Sequence, residues 1–351
     1  MPCLACLARL AKPRARGVAS AFLARGSAAW QVRGVPVCRF PLLPLPSHRP
    51  NPYTGSPLDR VSSRREDAAF VAACRADPAA RFLPVWRGHS LLSGMAGGRP
   101  RGVFLSAAAA TELPPDLPWA LLGLQEKAPV FALDLSAFED PAALLREAAL
   151  PAGAEFLDLR AAAGTLPAAE AAELAHARGL MHWRARHQFC GVCGGLCEPQ
   201  AAGNFLVCTS CHTQHFPRTD PAVIMLVHHG DFALLAHSRR FARRNMFSTL
   251  AGFVEPGESA EEAVAREVRE ETRVEVARVR YHSSQPWPFP GSIMLGFFAE
   301  AASQEIVIDP EEIAEARWIS RAEIRTSGRD FSLPAPDSIA RRLIEDWVAA
   351  S

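Results

Sequence analysis

Seven glutamates fall between Gly252 and Val274, in GFVEPGESAEEAVAREVREETRV, and three of them, Glu267, Glu270 and Glu271, share one face if the stretch is helical. At 3.6 residues per turn they span an arc of roughly 100°. Like charges at that spacing destabilise an isolated helix by about 0.2–0.5 kcal/mol per pair. Such a cluster suits a hard divalent cation, Mg²⁺ or Mn²⁺, which binds carboxylate oxygens and keeps water positions open beside phosphates. The ordinary alternative is a solvated helix face on which Glu262 and Arg266 form an i,i+4 ion pair. Ser259 followed by Glu262 is a capping box, which starts the helix near Ala260.

A second constellation is built from sulfur. Cys190-Gly191-Val192-Cys193 and Cys208-Thr209-Ser210-Cys211 are two C-x-x-C knuckles separated by fourteen residues. Four thiolates close a tetrahedral shell around Zn²⁺ and leave no open position, so the zinc they imply is structural. A redox C-x-x-C is the rival, and a matched pair of knuckles argues against it. Cys197 is left over as a bystander. Clustered cysteines of this kind also point to a reducing compartment.

The elements that must position these groups can be read from the rest of the chain. It has 351 residues, 49% of them hydrophobic, and a formal net charge of +1, enough for two or three domains with substantial cores. That balance gives no whole-protein electrostatic grip on nucleic acid. No apolar run approaches the ~20 residues that a membrane helix requires. Residues before Asp59 carry arginines and Lys12 but no acidic side chain. Two readings fit: a disordered extension over residues 1–50, with the protein cytoplasmic, or a mitochondrial targeting segment.

Residues 51–165 form an α/β scaffold or dimerisation domain. Its strands are expected at Arg81–Trp86 and Ala128–Leu135 and a helix from Asp140 to Leu150. Residues 166–216 read as a helix, Leu166–Arg186, feeding the cysteine module. In residues 217–351, Ala222–Val227 and Phe232–Ala236 make a hairpin with His228 and His229 in its turn. Arg239, Arg240, Arg243 and Arg244 follow as a basic loop, then a strand over Phe247–Phe253. Ile339, Leu343, Ile344, Trp347 and Val348 have the spacing of an amphipathic helix that seals the core. Between them, Ser284-Gln285-Pro286-Trp287-Pro288-Phe289-Pro290-Gly291-Ser292 alternates prolines with aromatics. It reads either as a stiff wall of π-faces for a planar base or as a loop plugging a core.

The glutamate stretch, from Gly252 through Glu258 and Arg266-Glu267-Val268 to Glu270-Glu271, resembles the Nudix box of hydrolases that cut a diphosphate linked to another group. Arg273 departs from it, standing where the family has a glycine that ends the helix. The proline–aromatic array, behind an upstream four-cysteine zinc site, resembles the signature of the NADH pyrophosphatase branch, and the likeness runs from about Asn51 to Ser351. It implies an α/β fold: a mixed sheet between helices (α/β/α), preceded by a zinc ribbon and an N-terminal α/β domain, in a homodimer. It further implies Glu267, Glu271 and Glu312 as ligands of the catalytic divalent ions, with the Ala251 carbonyl. Glu270 would bind metal or take a proton from water.

The same resemblance assigns substrate contacts to Gln285, Pro286, Trp287, Pro288, Phe289, Pro290, Gly291 and Ser292, and a main-chain contact to Ala340. Arg160 is a phosphate or base contact by the likeness, or a surface salt bridge by composition. Phe216 replaces a tyrosine and loses its hydroxyl. The implied activity is metal-dependent hydrolysis of NADH or NAD⁺ to nicotinamide mononucleotide and AMP, and of the NAD cap of RNA. The rivals are a broader hydrolase of ADP-ribose or diadenosine polyphosphates, and an RNA-binding adaptor using Arg184, Arg186, Arg218, Arg239 and Arg240.

Overall fold

The computed structural model describes residues 50–146, 148–162, 164–239, 245–326 and 330–350. The expectations for residues 1–49 and for Arg240, Arg243 and Arg244 lie outside the described residues.

The first sheet has Arg81–Trp86 and Ala128–Asp134 side by side and parallel, flanked by His89–Ser93 and Trp119–Gln125. Both central strands are apolar runs buried on both faces, as a sheet covered on two sides demands. The helix expected over Asp140–Leu150 is only one turn, Pro141–Leu144. The Asp140 carboxylate caps it by accepting from Ala143 N–H. Leu145 then turns into the core, its N–H bonding back to both Pro141 and Ala142 carbonyls, and Pro151 follows too soon for the helix to resume.

Helix Ala168–Arg186 is buried almost all round, with Leu174, Ala177, Leu180, Met181 and Trp183 among its inward residues. Polar groups are mixed in, Glu173 being buried as well, so the burial comes from protein packed on nearly every side. It lies against the first sheet through Leu174 at Gly102, and against the proline–aromatic hairpin where Gly179 faces Pro288. A single apolar cluster runs from the first sheet through this helix to Cys190, Leu206 and Cys208 of the cysteine module.

The second sheet is mixed and centred on Asp220–His229. That strand pairs in parallel with Ser292–Ala301 and antiparallel with Phe232–Ser238 and with Leu250–Phe253. Alternation along it sends Val223, Met225 and Val227 toward helix Ala260–Thr272, and Ile224 and Leu226 toward helix Ile339–Ala349. The sheet is thus sandwiched between two helices. His228 and His229 are not turn residues: they form the last rungs of the strand, opposite Ala233 and Phe232. Gly230, at φ 55°, and Asp231 make a two-residue turn that needs no others.

Candidate active site and zinc module

The capping box forms as expected, with Ser259 Oγ accepting from Glu262 N–H at 3.2 Å and Glu262 Oε2 accepting from Ser259 N–H at 2.7 Å. That commits Glu262, so the Glu262–Arg266 ion pair of the solvated-face alternative does not form. Arg266 reaches the other way. Its Nε and Nη2 grip both oxygens of Glu258 at 2.8 and 2.9 Å, and Nη2 also donates to the Phe253 carbonyl. Nη1 donates to Glu267 at 2.8 Å and to Glu270 at 3.0 Å. One guanidinium therefore ties the loop ahead of the helix to the helix itself and offsets part of the repulsion among its glutamates.

Glu267 lies across Gly252, where a β-carbon would sit 1.9 Å from its carboxyl carbon. Only glycine leaves room for that carboxylate. Burial pushes the pKa of Glu267 up, Arg266 opposes the shift, and the charges of Glu270 and Glu312 add to it. Glu312, just ahead of strand Ile313–Ser320, is thus near enough to act on the charge of Glu267. The loop is fastened by Asp309 N–H donating to the Glu271 carbonyl at 3.0 Å, and Arg239 N–H donates to the Glu312 carbonyl at 3.0 Å. Glu271 is 6% exposed, whereas the Glu270 side chain is 57% exposed. Ala251 pairs with Ile224 in the strand alongside. Glu267 in a cradle that a β-carbon would fill, with Glu270 on the same arginine and Glu312 near enough to act on its charge, supplies the oxygen type a hard divalent cation takes, although among the described residues only the four cysteines already stand as close as ligands of one ion.

Arg273 closes the helix in the left-handed conformation, φ 58° and ψ 10°, with its N–H donating to the Arg269 carbonyl at 2.9 Å. The turn expected of glycine is kept, at a cost of about 1–2 kcal/mol.

In the cysteine module the sulfurs of Cys190, Cys193, Cys208 and Cys211 all lie within 4.8 Å of one another. Cys190 and Cys211 are 3.6 Å apart and Cys193 and Cys208 3.4 Å. A tetrahedral zinc with bonds near 2.3 Å sets its sulfurs about 3.8 Å apart, so the four thiols fit Zn²⁺. Hydrogen bonds from Thr213 pull Cys211 down to about 6, toward the thiolate a metal needs. Cys197 stands outside the set, paired across the strands with Cys208. His215, which the spacing did not single out, places Nε2 3.3 Å from Cys190 Sγ.

The proline–aromatic stretch is not a loop. Val276–Trp287 and Ser292–Ala301 are paired strands, leaving only Pro288–Gly291 as the turn, with a cis bond between Phe289 and Pro290. Gln285 is 0% exposed and faces inward. Its Nε2 donates to the Asp337 carbonyl at 2.7 Å and its Oε1 accepts from Ile339 N–H at 2.8 Å, so it fastens the last helix instead of facing a ligand. Ala340, next in that helix, is buried.

Phe289 meets Tyr53 edge-on at 5.6 Å and Trp287 at 5.1 Å, and lies between the guanidiniums of Arg178 at 4.5 Å and Arg160 at 5.2 Å. Arg160 also forms an ion pair with Asp158 at 2.6 Å, which holds that carboxyl down at about 2. Pro286, Trp287, Pro288, Gly291 and Ser292 do border a cavity of about 400 Å³, while Pro290 is exposed at the tip. Phe216 is 62% exposed and meets Phe205 at a tilt, 5.5 Å between ring centres. Tyr53 and Arg178 carried no sequence signal, since neither sits in a motif. Arg266 did, next to Glu267, and only the solvated-face alternative paired it with Glu262.

Two family models match this chain: a NUDIX domain over residues 218–340, and an NADH pyrophosphatase-like rudimentary NUDIX domain over residues 79–183. The first sheet is thus the degenerate counterpart of the second. The protein called NAD-capped RNA hydrolase NudC in Deinococcus radiodurans is 38% identical over 298 residues, 84% of this chain and 95% of that one. Its namesake in Stutzerimonas stutzeri is 49% identical over 176 residues, 50% of this chain. The match spans 61% of the length of that relative. The chain belongs to the Nudix family, in the branch that carries the NADH pyrophosphatase-like domain.

Proposed function

We propose that this protein is a pyrophosphohydrolase that cuts the diphosphate of NADH or NAD⁺ into nicotinamide mononucleotide and AMP, and that removes NAD caps from RNA through the same bond. The names of its relatives support the substrate class. The observation that carries the chemistry is the packing of Glu267 on Gly252, with Glu270 and Glu312 close enough to perturb it. Glu267, Glu271, Glu312 and the Ala251 carbonyl would hold Mg²⁺ or Mn²⁺. When bound, such ions neutralise charge developing on a diphosphate and acidify water. Glu270, the exposed carboxylate of the set, would take the proton of the attacking water. The water oxygen bonds to one phosphorus, the bond from that phosphorus to the bridging oxygen breaks, and two monophosphates leave. Zn²⁺ on the four cysteines serves the fold.

A homodimer is part of this reading, because Phe189, Val192, Leu196 and Phe216 leave exposed apolar surface on the cysteine module. Light scattering that gave the mass of one chain would remove it. Among the described residues no helix is long and apolar enough to cross a membrane. With the thiol cluster suited to a reducing compartment, we place the protein in the cytoplasm; a chain imported with a targeting segment removed would contradict that. Hydrolysis of NADH in ¹⁸O-water tests the activity. Equimolar reduced nicotinamide mononucleotide and AMP, with label on one of the two, is expected. Release of orthophosphate, or no cleavage with either Mg²⁺ or Mn²⁺, would refute it.

A further inference from the structure

The cavity of about 400 Å³ beside the hairpin is lined by Arg60, Arg65, His176 and Arg218 together with Trp287, and by no carboxylate. The larger cavity next to the cysteine module, about 870 Å³, differs in carrying Glu66 and Asp116 in its wall. Arg65 lines both cavities. Its Nε and Nη2 are buried and have no acceptor. Arg60 donates Nη1 to His176 at 3.0 Å. Burial, with Arg60 and Arg65 beside it, holds that imidazole neutral, down at about 3. Burial lowers the pKa of Arg60 and of Arg65, and Arg60 lowers Arg65 further, the reverse of what a carboxylate neighbour does. Arg218 completes the set from a more exposed position, where it pairs with Asp220 at 2.9 Å.

A desolvated guanidinium without an acceptor is costly, and an anion entering the cavity would relieve it. Planar guanidinium donors match phosphate oxygens in pairs. Position narrows the choice. Ser292 and Arg218 bring the cavity to the Asp220 end of the central strand, where Asp220 pairs with Ser292. Ala251 pairs with Ile224, four residues further along, which is roughly 13 Å at 3.3 Å per residue. The Asp220 end of the cavity therefore stands about one nucleoside away from the level of Ala251 along the strand.

We propose that this pocket holds a phosphate ester on the ribose of the substrate's nucleotide, in addition to the diphosphate that is cut. The ester is a 2′-monoester of a free dinucleotide or the 3′-linked phosphate of a following chain, and the two present the same oxyanion. The identity of the nucleotide rests on the proposed hydrolase reading; the anion site itself does not.

The test is calorimetric binding of AMP, adenosine 2′,5′-bisphosphate and adenosine 3′,5′-bisphosphate to the full chain and to its Arg65→Gln and Arg218→Gln variants. At least one bisphosphate should bind the wild type about tenfold tighter than AMP, and that advantage should vanish in both variants. Preference for the 2′ isomer identifies the monoester, and preference for the 3′ isomer identifies the chain. Equal binding of all three by the wild type overturns the proposal. So does an advantage that survives Arg218→Gln, an exposed position where a folding defect is not at issue. A wild type that fails to hydrolyse NADH would sink the hydrolase reading and leave the binding ratios to be judged alone.

Discussion

The glutamate helix and the proline–aromatic hairpin are equally dense in motif, yet they face opposite ways. On the helix, Glu267 lies over a glycine and shares one arginine with Glu270, whose side chain is exposed. On the hairpin, Gln285 is spent on main-chain groups of the last helix, and Trp287 and Phe289 lock edge-on with Tyr53 against the core shared by the first sheet and the cysteine module. A signature can thus record chemistry in one place and joinery in another. Charge that stays near water marks the first; aromatics matched to one another mark the second.

If the hairpin belongs to the shared core, the largest effect should come from the far end of that core. Cys208→Ser should release zinc and lower the thermal midpoint by more than about 5 °C, because metal binding is folding free energy for such modules. Metal analysis and calorimetry check it, and a variant equally loaded and equally stable would remove the zinc module from the argument. Trp287→Ala should come next, losing about 3 kcal/mol in denaturant unfolding, as large aromatics removed from packed sites do. An unchanged midpoint, with a larger loss of turnover for NADH than for a nucleoside diphosphate, would turn the hairpin back into a recognition wall and break the comparison.

The opposite signature is expected on the helix side. Gly252→Ala pushes a β-carbon into the Glu267 carboxylate, so kcat should fall about thirtyfold, ~2 kcal/mol in barrier, with the midpoint unmoved. Normal turnover would mean that the Glu267 position does not matter. The smallest effect belongs to Asp158→Asn. The Asp158 side chain is 35% exposed, so its pair with Arg160 stabilises by under about 1 kcal/mol at neutral pH. Its folded pKa is depressed to about 2. That contribution is therefore present above the ordinary carboxylate value near ~3.9 and lost as pH falls toward the folded value. Unfolding curves for wild type and variant should converge there; a gap that widened at low pH would reverse the assignment.

Periodicity and capping made the helix Ala260–Thr272, the strands at Arg81 and Ala128, and the sealing helix at Ile339 legible, because each is set by local chemistry. The four cysteines were legible for the same reason, since ligand spacing is a property of short loops. What did not show was decided at long range. Asn51 donates to Ser283 Oγ and to the Ser284 carbonyl across more than two hundred residues, and Tyr53 reaches Phe289 likewise. His228 read as a turn because the pattern could not tell that Gly230 and Asp231 suffice. The direction in which Arg266 points was hidden too, because Glu258 and Glu262 are both within its reach and only the capping box decides between them.

The most direct measurement of the central claim is kcat for NADH in Glu271→Gln, a change that keeps volume and hydrogen bonding and removes one charge from the buried end of the carboxylate cluster. A loss of about a hundredfold or more is expected, with zinc content and thermal midpoint at wild-type values. A variant that kept more than about a tenth of wild-type kcat, a barrier change under ~1.4 kcal/mol, would contradict it.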